Sequence, residues 1–169
     1  MGPRRNHDRG GVLGALSLPH VLRMLITLSV TLMLVIFCVI LHYKALSVMR
    51  QAGDWLHRNY ARHHWHLSIL VCGLLVAHVI EVMLFGLAYC GLIDGNAYGA
   101  IAGSQSIGLA ECTYFSFSNY TSLGYGDLVP LGPLRFMAGM EALTGLVLIT
   151  WTASFMYLQM QRIWDRDPS

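Results

Sequence analysis

Tyr114-Phe115-Ser116-Phe117-Ser118-Asn119-Tyr120-Thr121-Ser122-Leu123-Gly124-Tyr125-Gly126-Asp127-Leu128-Val129-Pro130 is the stretch on which the reading of this chain turns. Its first part belongs to an aromatic run, Glu111 to Tyr120, of about ten residues, a length too short to cross a bilayer as a helix. It passes at once into Gly-Tyr-Gly, an aspartate and a turn bounded by Pro130 and Pro133, a backbone that cannot stay helical. At membrane depth, non-helical backbone is tolerated only where protein buries it or where it lines a watery cavity.

The flanks place the segment at that depth. Leu67 to Ile93 on one side, with His78 and Glu81 inside it, and Leu134 to Met160 on the other are apolar runs long enough to span. A further uncharged run of about 18 residues, Met24 to Leu41, precedes them. A signal peptide would carry a shorter apolar region of about 7–15 residues and a small-residue cleavage site; this run leads instead into His42-Tyr43-Lys44. Composition agrees: 55% of residues are hydrophobic and 12% charged, against roughly 25% charged in a soluble domain, and mean hydropathy is +0.53. The net charge of +2 is small, and no basic patch carries interleaved aromatics, so nucleic acid is not an expected partner. No internal repeat is present.

The chain thus divides into a polar N-terminal tail (1–20), a first span (21–42), a connector (43–65), a second span (66–93), a Gly-rich loop (94–108), the half-length helix with its Gly-Tyr-Gly segment and turn (109–133), a third span (134–161) and a short tail (162–169). In the connector Leu46, Met49, Leu56 and Tyr60 recur among Lys44, Arg50, Asp54, Arg58 and Arg62. That pattern predicts an amphipathic helix along the membrane surface, with Trp55 and Trp65 at headgroup depth and a break at Gly53.

Tyr114 to Pro130 resembles the pore helix and filter of potassium channels, whose filter usually reads Thr-Val-Gly-Tyr-Gly-Asp. The likeness covers Leu109 to Met160, and its ring-of-carbonyls filter is a system that general accounts of ion selectivity use as their example. It implies an all-α membrane protein: three transmembrane helices, a re-entrant pore helix and a filter loop, four chains around one axis. Thr121, Ser122, Leu123, Gly124, Tyr125 and Gly126 would form the filter. Carbonyls of Ser122, Leu123, Gly124 and Tyr125 would replace the water shell of potassium, the one bound ion expected and no cofactor besides. Inward carbonyls require some residues at φ > 0, which glycine adopts without steric cost. Tyr125 would point away from the pore against Tyr114 and Phe115. Asp127 and Ser118 complete the support, with Ser118 standing where some relatives carry a glutamate partner for the aspartate, so Asp127 is expected to lack a carboxyl partner. Two further departures are Ser122 in place of threonine and Leu123 in place of the stiffer, β-branched valine.

In the third span the likeness places Gly145 at a gating hinge, with close helix packing as the competing reading. Leu146, Ile149, Ala153 and Tyr157 follow at helical spacing on one face and would line a cavity. Glu81, Glu141 and His78 are ionisable groups within spans; they either hydrogen-bond behind the pore helix or mark an ion or proton path. His57, His63, His64 and His66 precede the second span as an interfacial basic segment or as a metal or pH sensor. Cys90 ends the second span and Cys112 begins the pore helix, both near the outer surface, where they pair or remain free thiols. Cys38 and Cys72 lie in apolar runs, and no cysteine spacing suits zinc.

The function implied is selective potassium conduction in a multi-pass protein of the cell membrane, bacterial by its three-span layout. Its partners would be other copies of itself, potassium and lipid. Residues 94–133 would then be external, the connector and C-terminus cytoplasmic, and the N-terminus outside despite its arginines. A weakly selective cation channel and a non-conducting membrane sensor are the rival readings. No nucleophile–base or metal constellation suggests an enzyme.

Overall fold

The computed structural model describes residues 18–59, 65–93, 98–104 and 106–164. In chain order these form α1 (Leu18–Asn59), α2 (Trp65–Ile93), β1 (Ala100–Ala102), α3 (Leu109–Tyr120), β2 (Val129–Leu131) and α4 (Leu134–Trp164). Among the described residues three helices are long and apolar enough to cross a membrane, over Val21–Leu56, Leu67–Ile93 and Leu134–Arg162. α3 has 12 residues and rises about 18 Å at 1.5 Å per residue, well short of a hydrocarbon core of about 30 Å. The protein is an all-α membrane fold with three spans and one re-entrant helix.

The small sheet explains the re-entrance. β1 lies before α3 and β2 after the Gly-Tyr-Gly segment, yet they pair antiparallel, Ala100 with Leu131, Ile101 with Pro130 and Ala102 with Val129. The chain therefore leaves and returns at the same level. Because β1 falls within 94–108, that stretch is not wholly the irregular loop that its glycines suggested. Cys90 near the end of α2 is disulfide-bonded to Cys112 in the first turns of α3, with Cα atoms 5.9 Å apart. The buried core gathers Cys38, Phe85, Tyr89, Ile101, Phe115, Leu134, Met137 and Leu148 around that point.

The first span and the connector are not two elements. α1 runs unbroken for 42 residues, about 63 Å at 1.5 Å per residue. An interior glycine costs a helix only about 1 kcal/mol relative to alanine, and Gly53 sits where a β-carbon would be in contact with Leu70 of α2. Leu46, read as the apolar face of a surface helix, is buried. α1 packs against both α2 and α4. Leu22, Leu25, Leu32, Met33, Ile36 and Phe37 are exposed, as lipid-facing side chains of a span are.

The disulfide generates a measurable expectation. Denatured, unreduced protein should take up alkylating reagent at Cys38 and Cys72 alone. Cys90→Ser should cost about 3 kcal/mol of stability, the loop-closure value for a bridge of this span, read as a lower melting temperature. Four labelled cysteines in protein from an oxidising compartment would contradict the pairing.

Candidate functional site

α3 starts at Gly108, whose N–H donates to the Glu111 carboxylate at 2.9 Å. This reverse bond satisfies a donor that the first turn leaves open and sets negative charge at the positive end of the helix. At the far end, Ser122 N–H donates to Asn119 O (2.8 Å) and Leu123 N–H to Ser118 O (3.0 Å). That pair of bonds closes a helix through one left-handed residue, usually glycine. Here it is Ser122, φ 57°, the only non-glycine residue with positive φ among the described residues; such a conformation costs on the order of 1–3 kcal/mol.

Beyond it φ is positive again at Gly124 (55°) and Gly126 (80°) but not at Leu123 or Tyr125. Backbone of alternating hand turns successive peptide groups toward a common side, as in the backbone concavities that hold ions. Residues 121–127 are all exposed in the single chain.

Support comes from one face of α3. The Tyr114 ring stacks on Tyr125, 6.4 Å between centroids and 6° from parallel. Its hydroxyl donates to Asp127 Oδ2 at 2.8 Å, a bond that holds the Tyr114 pKa above the ordinary phenol value. Asp127 thus has a phenol where a carboxyl partner was missing. Ser118 Oγ accepts from Tyr125 N–H at 3.4 Å, and its carbonyl also takes Gly124 N–H at 3.2 Å. Phe115 does not join this cuff. It turns to the buried side of α3 and packs edge-on to Tyr89, 4.9 Å between centroids, because helical spacing separates neighbours by about 100°.

Two buried carboxylates hold α3 from behind. Glu141 of α4 accepts from Tyr89 OH at 2.7 Å and pairs with Ser116 Oγ, and Ser116 Oγ also lies 2.8 Å from Val82 O. Glu81 of α2 accepts from Tyr120 OH at 2.5 Å and lies 3.0 Å from His42 Nδ1 and 3.2 Å from His78 Nδ1. Glu81, Glu141 and His78 therefore bond within the bundle, as the first of their two readings expected. His42, Tyr89, Tyr120 and Thr152 carry no sequence signal for this network; His42 simply follows the apolar run that ends at Leu41.

Gly145 meets the end of α3. A β-carbon there would collide with the Tyr120 carbonyl, so the glycine lets α4 approach the residue that precedes Thr121. This contact is the close-packing reading of Gly145. Further along α4, Leu146, Ile149, Ala153 and Tyr157 are exposed. The side chains of His57, His63, His64 and His66 lie outside the described residues.

Residues 74–162 match the model of a family described as "Ion channel". The inward rectifier potassium channel Kirbac3.1 of Paramagnetospirillum magnetotacticum is 33% identical over 102 residues, 58% of this chain and 31% of that protein. The matching stretch spans under a third of that relative's length. No solved structure matches.

Packing and hinge readings of Gly145 separate on substitution. Gly145→Ala should lower thermal stability by about 1–3 kcal/mol, the cost of overpacking against backbone. A glycine serving only as a hinge would give a helix stabilised by up to about 1 kcal/mol. Melting of the purified variant in detergent distinguishes the signs.

Proposed function

We propose that this chain, which belongs to the ion channel family, conducts potassium ions passively and selectively through a homotetrameric pore in the cell membrane. One observation carries the reading: positive φ at Ser122, Gly124 and Gly126, directly after a half-length helix. Peptide groups turned to one side offer a column of carbonyl oxygens, the chemistry that replaces an ion's hydration shell. Ser122, Leu123, Gly124 and Tyr125 are the proposed potassium ligands, with Thr121 and Gly126 at the ends of the column. The relative described above is itself a potassium channel by name.

One such column cannot enclose an ion, and its polar backbone would face lipid, where each unsatisfied group costs several kcal/mol. Four copies about one axis remove both problems, and closed cyclic symmetry is the usual arrangement of identical subunits. In this reading the exposed face of α4, through Leu146, Ile149, Ala153 and Tyr157, lines the cavity below the filter. The C-terminal end of α3 points its negative dipole toward that cavity and favours a cation there. Conduction of this kind needs no catalytic group.

A second reading, a weakly selective cation channel, is favoured by Ser122 and Leu123. Liposomes with a potassium gradient test both: barium-blocked flux that excludes sodium supports the first, and equal sodium flux supports the second.

Alanine at Gly124 or Gly126 would hold a side chain at φ 55° or 80°, at a cost on the order of 1–3 kcal/mol per subunit. Each variant should insert normally and lose potassium flux; undiminished selective flux in either would remove the filter assignment. Native mass measurement should give about 75 kDa, four times the 18.8 kDa chain. A dimer or monomer that conducts would overturn the architecture.

A further inference from the structure

Behind α3 lies a polar centre that conduction does not use. His42 of α1 and His78 and Glu81 of α2 bring three ligand atoms within 4.8 Å of one another. His42 Nδ1 is 3.0 Å from one Glu81 oxygen and His78 Nδ1 3.2 Å from the other. Donors held about 2.0–2.2 Å from a tetrahedral zinc ion sit about 3.3 Å apart, so little movement would admit one. The Tyr120 oxygen, 2.5 Å from Glu81 and 2.8 Å from His78 Nδ1, adjoins these donors. His42 and Glu81 are fully buried, and the His78 side chain is 14% exposed.

We propose that His42, His78 and Glu81 form a binding site for a divalent first-row cation, zinc by its donor set, with the Tyr120 oxygen beside the fourth position. Two imidazoles and a carboxylate form a zinc ligand set of known type. His78 and Glu81 share one face of α2 at i, i+3, with the third ligand on the facing helix, which is how helical bundles build metal sites in their cores.

Thr152 of α4 supplies the independent observation. Its hydroxyl oxygen lies 3.0 Å from His78 Nε2 and 3.2 Å from His42 Nε2. A hydroxyl can accept two hydrogen bonds but donate one. Histidines bound to a metal through Nδ1 both carry a proton on Nε2, and both can donate to Thr152. That outer bond is the one by which metal-ligating histidines are oriented. Two neutral histidines without a metal would have to take opposite Nε2 roles at Thr152, one donating and one accepting its single proton.

The site joins four helices, with α4 contributing Thr152. α1 and α2 supply the ligands, and Tyr120 connects the ion to the last turn of α3, next to Thr121. A bound cation would fasten the outer helices to the base of the proposed filter. The assignment does not depend on conduction, because ligand geometry alone carries it.

The test uses the full, tag-free chain in detergent, dialysed against buffered zinc and gel-filtered, with metal content and melting temperature as readouts. About one zinc per chain should remain, the stoichiometry of a single closed site. Chelator should lower the melting temperature by several degrees, and zinc should restore it. His78→Gln and Glu81→Gln, checked for unchanged elution and helicity, should each lose more than nine-tenths of the zinc. If these variants do not fold, the chelator response of the unaltered chain decides. Folded protein without retained zinc, or with melting indifferent to zinc and chelator, would overturn the site. Zinc retained equally by both folded variants would place it on other histidines and overturn it as well.

Discussion

A short helix and a glycine-rich segment have to be held at membrane depth, where water is not available to satisfy their polar groups. The rest of the fold follows from that constraint. α3 cannot bury itself by length, so it depends on neighbours. Glu111 closes its first turn, and the amides of Ser122, Leu123 and Gly124 fold back to close its last. Phe115, Tyr120 and Cys112 fill the interior behind it, while the β1–β2 pair returns the chain to its level of entry.

The two buried carboxylates make sense in the same terms. An ionisable group inside a span is costly unless it is paired and hydrogen-bonded. Glu141 meets Ser116 and Tyr89; Glu81 meets Tyr120, His42 and His78. Each carboxylate has one partner on α3 and at least one on another helix. Breaking either contact would strand a buried polar group, at about 1–3 kcal/mol or more for a charged one. That asymmetry positions α3 more sharply than apolar packing, which has no preferred register. It also accounts for α1. His42 reaches Glu81 only if α1 continues past the apolar run that ends at Leu41, and the helix does continue, to Asn59.

Much of this was legible in the sequence because it rests on local rules. Three apolar runs give three spans, and a half-length run before Gly-Tyr-Gly gives the re-entrant helix. Tyr114 as the brace for Tyr125 also follows from the order of residues. What escaped depends on register between distant helices. Helical spacing could not decide which neighbour, Tyr114 or Phe115, faces the segment. Nor could it bring His42 to Glu81, 39 residues away, or Thr152 to His42, 110 residues away. The connector is ambiguous in sequence because charged residues among apolar ones suit a separate surface helix and the continuation of a long helix equally. Only contact with α2, at Met49 and Gly53, separates the two.

Ser122 joins these threads. It ends α3 as the left-handed closing residue, a place where glycine would be free of strain, and it also opens the alternating backbone. The strain, on the order of 1–3 kcal/mol, persists only because its surroundings over-determine it. Asn119 and Ser118 accept the amides on either side of the turn. Tyr120, two residues earlier, is fixed by Glu81 through its hydroxyl and by Gly145 against its carbonyl. Tyr125, three residues later, is fixed by Tyr114 and Ser118. With both flanks held, relaxing φ at Ser122 would displace one of them. The buried network and the exposed segment are therefore one mechanical unit, and side chains that never face the Gly-Tyr-Gly segment help set the direction of its peptide groups.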